Sequence, residues 1–198
     1  MRRFLVIGLI LGIINCSFSQ NRLAEVKSIK KTFLKTEIRD LQLLYDFFNQ
    51  TICNSDKDLN DCYDVFSKKV KQEADSGLIN LHIPFKQQQK VYQQFEDSTF
   101  DEIWAFGKAS TPDSPNISRL EVYFRSDGNF MKFLKKASKK DEFIKVYYES
   151  VKAAGEPTPS LILGVIENYD KLNIYDTKVK FVIAIHYLTV NDQSKRRN

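Results

Sequence analysis

Two histidines, His82 and His186, are the side chains in this sequence best suited by type to exchange a proton near neutral pH. Each stands alone among apolar neighbours, in Leu81-His82-Ile83 and Ile185-His186-Tyr187. That is the setting of a half-buried structural ring bonded to a backbone carbonyl. Metal binding asks for clustered ligands at defined spacing, and two isolated histidines do not supply them. The run from Asn54 to Asp61 places oxygen side chains at alternate positions, as a calcium loop does. Its sixth position is Leu59 where the tight turn needs Gly, and its twelfth is Val65 where a bidentate Glu belongs. It reads as a solvated helix cap. No metal and no cofactor is expected.

Acid–base work by carboxylates would need a pair in one cleft. Asp101-Glu102 and Asp141-Glu142 are adjacent acids at the starts of elements, where they ordinarily serve as first-turn or surface charges. There is no nucleophile elbow, no H-E-x-x-H and no phosphate-cradling glycine loop. Of seven glycines, Gly8 and Gly12 fall in the first nineteen residues. No catalytic residue is therefore expected.

Binding surfaces are better represented. Trp104 and Phe106 alternate along a strand-like run and would share one face, with Tyr123 on the neighbouring strand able to join them. These three rings form a candidate ligand surface for sugars or peptides, although the same pattern also fills cores. Lys132, Lys135, Lys136, Lys139 and Lys140 make the densest basic group. On a helix they form a solvated face that could meet lipid headgroups or a polyanionic saccharide. Asn49 and Asn116 open N-glycosylation sequons.

The residues Met1–Ser19 set the compartment. Arg2 and Arg3 precede an apolar run from Phe4 to Ile14 that is too short to span a bilayer, which takes about 20 residues. Ser17 and Ser19 then offer small side chains at the −3 and −1 positions of a cut before Gln20. A secretory leader is expected, leaving an exported chain, periplasmic or secreted, with no transmembrane segment. Lipidation at Cys16 is the alternative. Cleavage leaves 179 of 198 residues and 28 basic against 25 acidic groups, a net +3 that equals the tail cations Lys195, Arg196 and Arg197. A nearly neutral body gives no reason to expect nucleic acid. It also leaves only Cys53 and Cys62, an even pair that reads as a disulfide in an oxidising compartment.

Helical and strand signals position these groups. Leu34, Ile38, Leu41, Tyr45, Phe48 and Ile52 recur at 4-3-4-3-4 spacing and predict a helix from Asn21 to about Thr51. A second helix is expected near Ser55, capped by Ser55 and Asp58, carrying Leu59, Tyr63, Phe66 and Val70 and stopping at Gly77. Cys53 and Cys62 would clamp that helical hairpin at its turn. A third helix starts at Pro84 and runs to about Phe95.

Glu102–Ala109 and Ser118–Arg125 predict an antiparallel hairpin, joined by a turn-rich stretch. Phe130–Ala137 and Asp141–Ala154 read as two short helices or one kinked helix ending at Gly155-Glu156-Pro157, and Thr158-Pro159 opens another to about Asn168. Lys178–Val190, β-branched and aromatic, predicts a central strand half buried on both sides, one face apolar and the other changing from Lys178 and Lys180 to apolar residues, followed by a disordered tail at 191–198. The expected architecture is one α+β domain over 20–190. In it the helical hairpin and further helices pack on an antiparallel sheet of about three strands. The function expected is that of a non-catalytic binding or structural module of the cell envelope, with an unknown protein or envelope component as partner. An envelope-polymer hydrolase working through carboxylates is the alternative.

Overall fold

The computed structural model describes residues 22–53, 57–76, 80–96, 98–111 and 114–197. The expected leader Met1–Ser19 with Cys16, the Ser55 half of the expected cap and the expected Gly77 stop lie outside them. The architecture is α+β, with helices dominant and a two-stranded antiparallel sheet.

A 3-10 turn, Leu23–Glu25, and the one-turn helix α1 (Lys27–Lys30) precede α2 (Lys35–Ile52). The first long helix thus begins at Lys35, not at Asn21. Extended backbone at Leu34 breaks the chain, and the Glu37 carboxylate accepts the Leu34 N–H at 2.8 Å. This break lets Leu23, Ile29 and Phe33 all reach the core, which one continuous helix could not arrange. Helix α3 (Leu59–Asp75) starts on Asp58, whose side chain accepts the Asn60 N–H at 2.8 Å. Asp58 is therefore the cap residue itself rather than the cap's third-position partner. The Cys53–Cys62 disulfide joins the end of α2 to the first turn of α3, with Cα atoms 5.2 Å apart. Phe48 meets Tyr63 and Phe66 across the hairpin at 5.8 and 5.5 Å between ring centroids.

Helix α4 (Phe85–Tyr92) follows, with Pro84 as its cap. Strands β1 (Trp104–Thr111) and β2 (Ser114–Phe124) pair in the register Trp104↔Phe124, Phe106↔Val122 and Lys108↔Leu120. They extend further toward the turn than their apolar residues predict, with an irregularity between Ala109 and Thr111. Next come α5 (Asn129–Ala137), α6 (Glu142–Ala154) and α7 (Pro159–Glu167). The Thr158 cap and the stop at Gly155 are those expected, whereas Asp141, expected as a first-turn charge, is itself the cap of α6. Asp141 accepts the Ile144 N–H, Thr158 accepts the Leu161 N–H, and Gly155 ends α6 at φ 79°, a conformation that favours glycine.

The main correction concerns Thr177–Arg197. It is not a central strand with a disordered tail but one 21-residue helix, α8. Residues 179–193 are buried without interruption. A stretch buried on every side has no polar face, so its periodicity cannot separate a buried helix from a strand buried on both faces. Length favours the helix, since strands usually run 4–8 residues. Packing overrides the β-propensity of Val179, Val182, Ile183 and Ile185. Without that strand the sheet has two strands rather than three.

Helix α8 is the core's axis. Phe181 touches Tyr45 of α2 and Phe130 and Phe133 of α5. Tyr187 lies between Phe48 and Phe66 of the helical hairpin.

The polar residues that suggested a tail are anchoring groups. Gln88 of α4 donates to the Leu188 carbonyl and accepts from Asn191, at 2.9 and 2.7 Å. Asp192 accepts from Gln89 at 2.9 Å and pairs with Arg196. Gln193 donates to the Val122 carbonyl at 2.8 Å, fixing α8 to β2. A buried helix carrying Asn, Asp and Gln is stable only where each finds such a partner.

Candidate functional site

The hairpin register decides the expected aromatic surface. Trp104 and Phe106 share a face, as alternation requires, but Tyr123 pairs opposite Ala105 and belongs to the other face. There it lies across Gly107, where a Cβ would come within 2.7 Å of its ring. Tyr123 therefore does not join the two rings. Trp104 is fully buried, and its indole N–H donates to the Thr189 hydroxyl at 2.9 Å. Of these two, Phe106 reaches solvent, at 49% exposure, stacked on Phe100 at 5.2 Å with the Arg196 guanidinium 5.1 Å from its ring. The assembly that forms is a chain of rings from Tyr92 through Trp104 and Phe100 to Phe106, each 5.1–5.2 Å from the next. Tyr92 and Phe100 lie outside the strands, so strand alternation gave no hint of them.

The titratable candidates hold the fold together. His186 is fully buried, with Nδ1 3.3 Å from the Tyr147 hydroxyl and Nε2 unpaired among the described residues. Burial pushes its pKa down to about 3, so the ring stays neutral. His82 has φ 50° and is half exposed; its Nε2 lies 2.6 Å from Glu73 Oε1. That bond holds the Glu73 carboxyl below its ordinary value and ties α3 to the segment before α4.

Among the paired acids, Asp101 is exposed. Glu102 accepts the Asn129 N–H at 2.9 Å, Asp141 caps α6 and faces Lys178 at 3.5 Å, and Glu142 pairs with Lys145 at 3.2 Å. The fully buried Asp40 accepts from Arg39, the Glu96 N–H and the Thr99 hydroxyl at 2.7–2.9 Å. Among the described residues no three His, Cys, Asp or Glu side chains gather where a metal could sit. Asn49 accepts from the Tyr63 hydroxyl at 2.9 Å inside the hairpin, which closes that sequon in the folded chain. The Asn116 side chain lies outside the described ones.

Two apolar grooves are open among the described residues. One, of about 560 Å³, runs between α6 and α7. Phe143 and Val146 form one wall, Leu161 and Val165 the other, and Leu172 closes an end. Gly164 lies on it, and a Cβ there would meet nothing within 4 Å. Val146 is 57% exposed on its wall. The second, of about 630 Å³, lies along α1 and the start of α2, with Phe33 and Ile38 on its floor and Arg22, Lys30, Lys35 and Arg39 around it. Both fall within the size range of ligand sites. Neither was visible in the sequence, which marks the helices there by their ends alone.

Among the described residues no helix is long and apolar enough to cross a membrane. No family model, no curated protein and no solved structure matches this chain, so its own geometry is what a functional reading rests on.

Proposed function

We propose that the chain is a non-catalytic binding or structural module exported to the bacterial cell envelope, periplasmic or secreted once the leader Met1–Ser19 is removed. The Cys53–Cys62 disulfide is compatible with that compartment. The single observation that carries the binding reading is the α6/α7 groove. It is an apolar cleft of ligand size, walled in part by the exposed Val146, with open space beside Gly164. Its occupant is an apolar segment of an envelope protein or a small apolar ligand.

Gly164→Leu tests this. The new side chain would enter the groove rather than the core, and replacing a helical glycine gains up to about 1 kcal/mol. Native mass spectrometry of protein taken from the exported compartment should show a bound ligand or subunit on the wild type. Gly164→Leu should lack it while melting no lower. Hydrolysis of envelope polymer by the purified protein, lost in Glu102→Gln or Asp141→Asn with folding intact, would overturn the reading in favour of a hydrolase.

A further inference from the structure

Two lysine-rich segments far apart in the sequence form one surface. The Lys136 ammonium donates to the Lys31 carbonyl and the Thr32 hydroxyl at 3.0 and 3.2 Å. Beneath that contact Phe33 packs on Phe133 at 6.2 Å. Residues 22–39 contribute Arg22, Lys27, Lys30, Lys31, Lys35 and Arg39; residues 130–140 contribute five more lysines. The acids in these segments are Glu25, which is exposed, and Glu37, which is buried capping α2. Eleven cations against two acids give the pair of segments +9, so the rest of the chain sums to −4 within its total of +5. Such asymmetry reports on partners rather than on folding.

Among the described residues, no carboxylate pairs with Lys27, Lys30, Lys31, Lys35 or Lys135, whereas Arg39 pairs with Asp40 and Glu96. Residues 1–21 contain no Asp or Glu that could neutralise the face. Apolar groups rise out of the same surface. Leu34 is 64% exposed at the start of α2, flanked by Phe33 and Lys35 of the basic-rimmed groove, and Leu43 on that groove is 38% exposed.

We propose that this face docks on an anionic lipid bilayer. Leu34 and Leu43 enter the boundary between headgroups and acyl chains, the groove over Phe33 and Ile38 takes hydrocarbon, and the ring of lysines meets the headgroups. A polyanionic saccharide would engage the lysines but leave the leucines and groove in water. A bilayer presents both charge and hydrocarbon, at adjacent depths. The surface shares no residue with the α6/α7 groove and does not depend on that groove having an occupant.

Flotation with phosphatidylglycerol–phosphatidylcholine vesicles, compared with phosphatidylcholine alone, tests the proposal on the mature full chain. Binding should be at least about ten-fold stronger to the anionic vesicles and should weaken with salt. Replacing Lys30, Lys31 and Lys35 together by Gln should weaken it about 100-fold, at roughly five-fold per cation near the surface. Leu34→Ser should cost about ten-fold and leave the salt dependence unchanged. These side chains are exposed, so thermal melting should show both variants folded. Equal binding to both vesicle types would overturn the proposal. So would an unaffected triple variant, or binding confined to an acidic protein or a soluble polyanion.

Discussion

Reducing the Cys53–Cys62 bridge should lower stability by about 2.5 kcal/mol. The magnitude follows from chain entropy. The linked residues are 9 apart, and the cost of closing a loop of that size in the unfolded chain is about 8–9 cal/mol/K, or ~2.5 kcal/mol at 25 °C. For a chain of this length that is a fall of about 5–10 °C in melting temperature. Both cysteines are buried, at 7% and 3% exposure, so reduction has to be carried out in denaturant before refolding. The assay is urea unfolding of oxidised and reduced protein followed by far-ultraviolet circular dichroism. The α2/α3 interface contributes the same packing in both forms, so the difference reads the crosslink. A difference under about 0.5 kcal/mol would refute the reasoning, because it would mean the unfolded chain already holds this turn closed.

Two further outcomes are expected. The folded state holds His186 neutral with a pKa near 3, whereas the unfolded ring takes up a proton below about 6.5. Stability should therefore be unaffected above pH 7 and fall by up to about 1.4 kcal/mol per pH unit as pH drops from 6.5 toward 3. Urea titrations at pH 7 and pH 5 should show that fall in the wild type and a shallower one in His186→Phe. Trp104→Phe removes the indole donor to Thr189 and leaves a gap beside Tyr92 and Phe100. It should cost roughly 2–3 kcal/mol by denaturant unfolding, and a loss below about 0.5 kcal/mol would mean that the ring is not packed as described.

Elements with chemical punctuation could be read directly. Asp141, Gly155 and Thr158-Pro159 fix α6 and α7 because capping is local chemistry. The spacing from Leu34 to Ile52 located α2, yet not its start, because the break at Leu34 exists to bring Leu23 and Ile29 onto the core. Helix α8 was illegible for the opposite reason: burial on all sides erases the amphipathic signal that distinguishes a helix from a strand. Tyr123 was misplaced by a single step of register, which moves a side chain to the other face of a hairpin. The lysines at 132–140 were visible as a group. Their union with Lys30, Lys31 and Lys35 rests on the contact of Lys136 with Lys31 and Thr32, just past α1, which no local pattern encodes.

The position of α8 also governs the order of folding. Helices α2, α3, α5 and α6 all lay apolar side chains against residues 177–197, which follow every one of them along the chain. A polypeptide emerging amino end first can close the Cys53–Cys62 loop early, but it has nothing to bury its stripes against until those residues arrive. Long-range closure of this kind delays collapse. Until then the partly made chain keeps its apolar stripes exposed, and stripes exposed in this way are prone to aggregate.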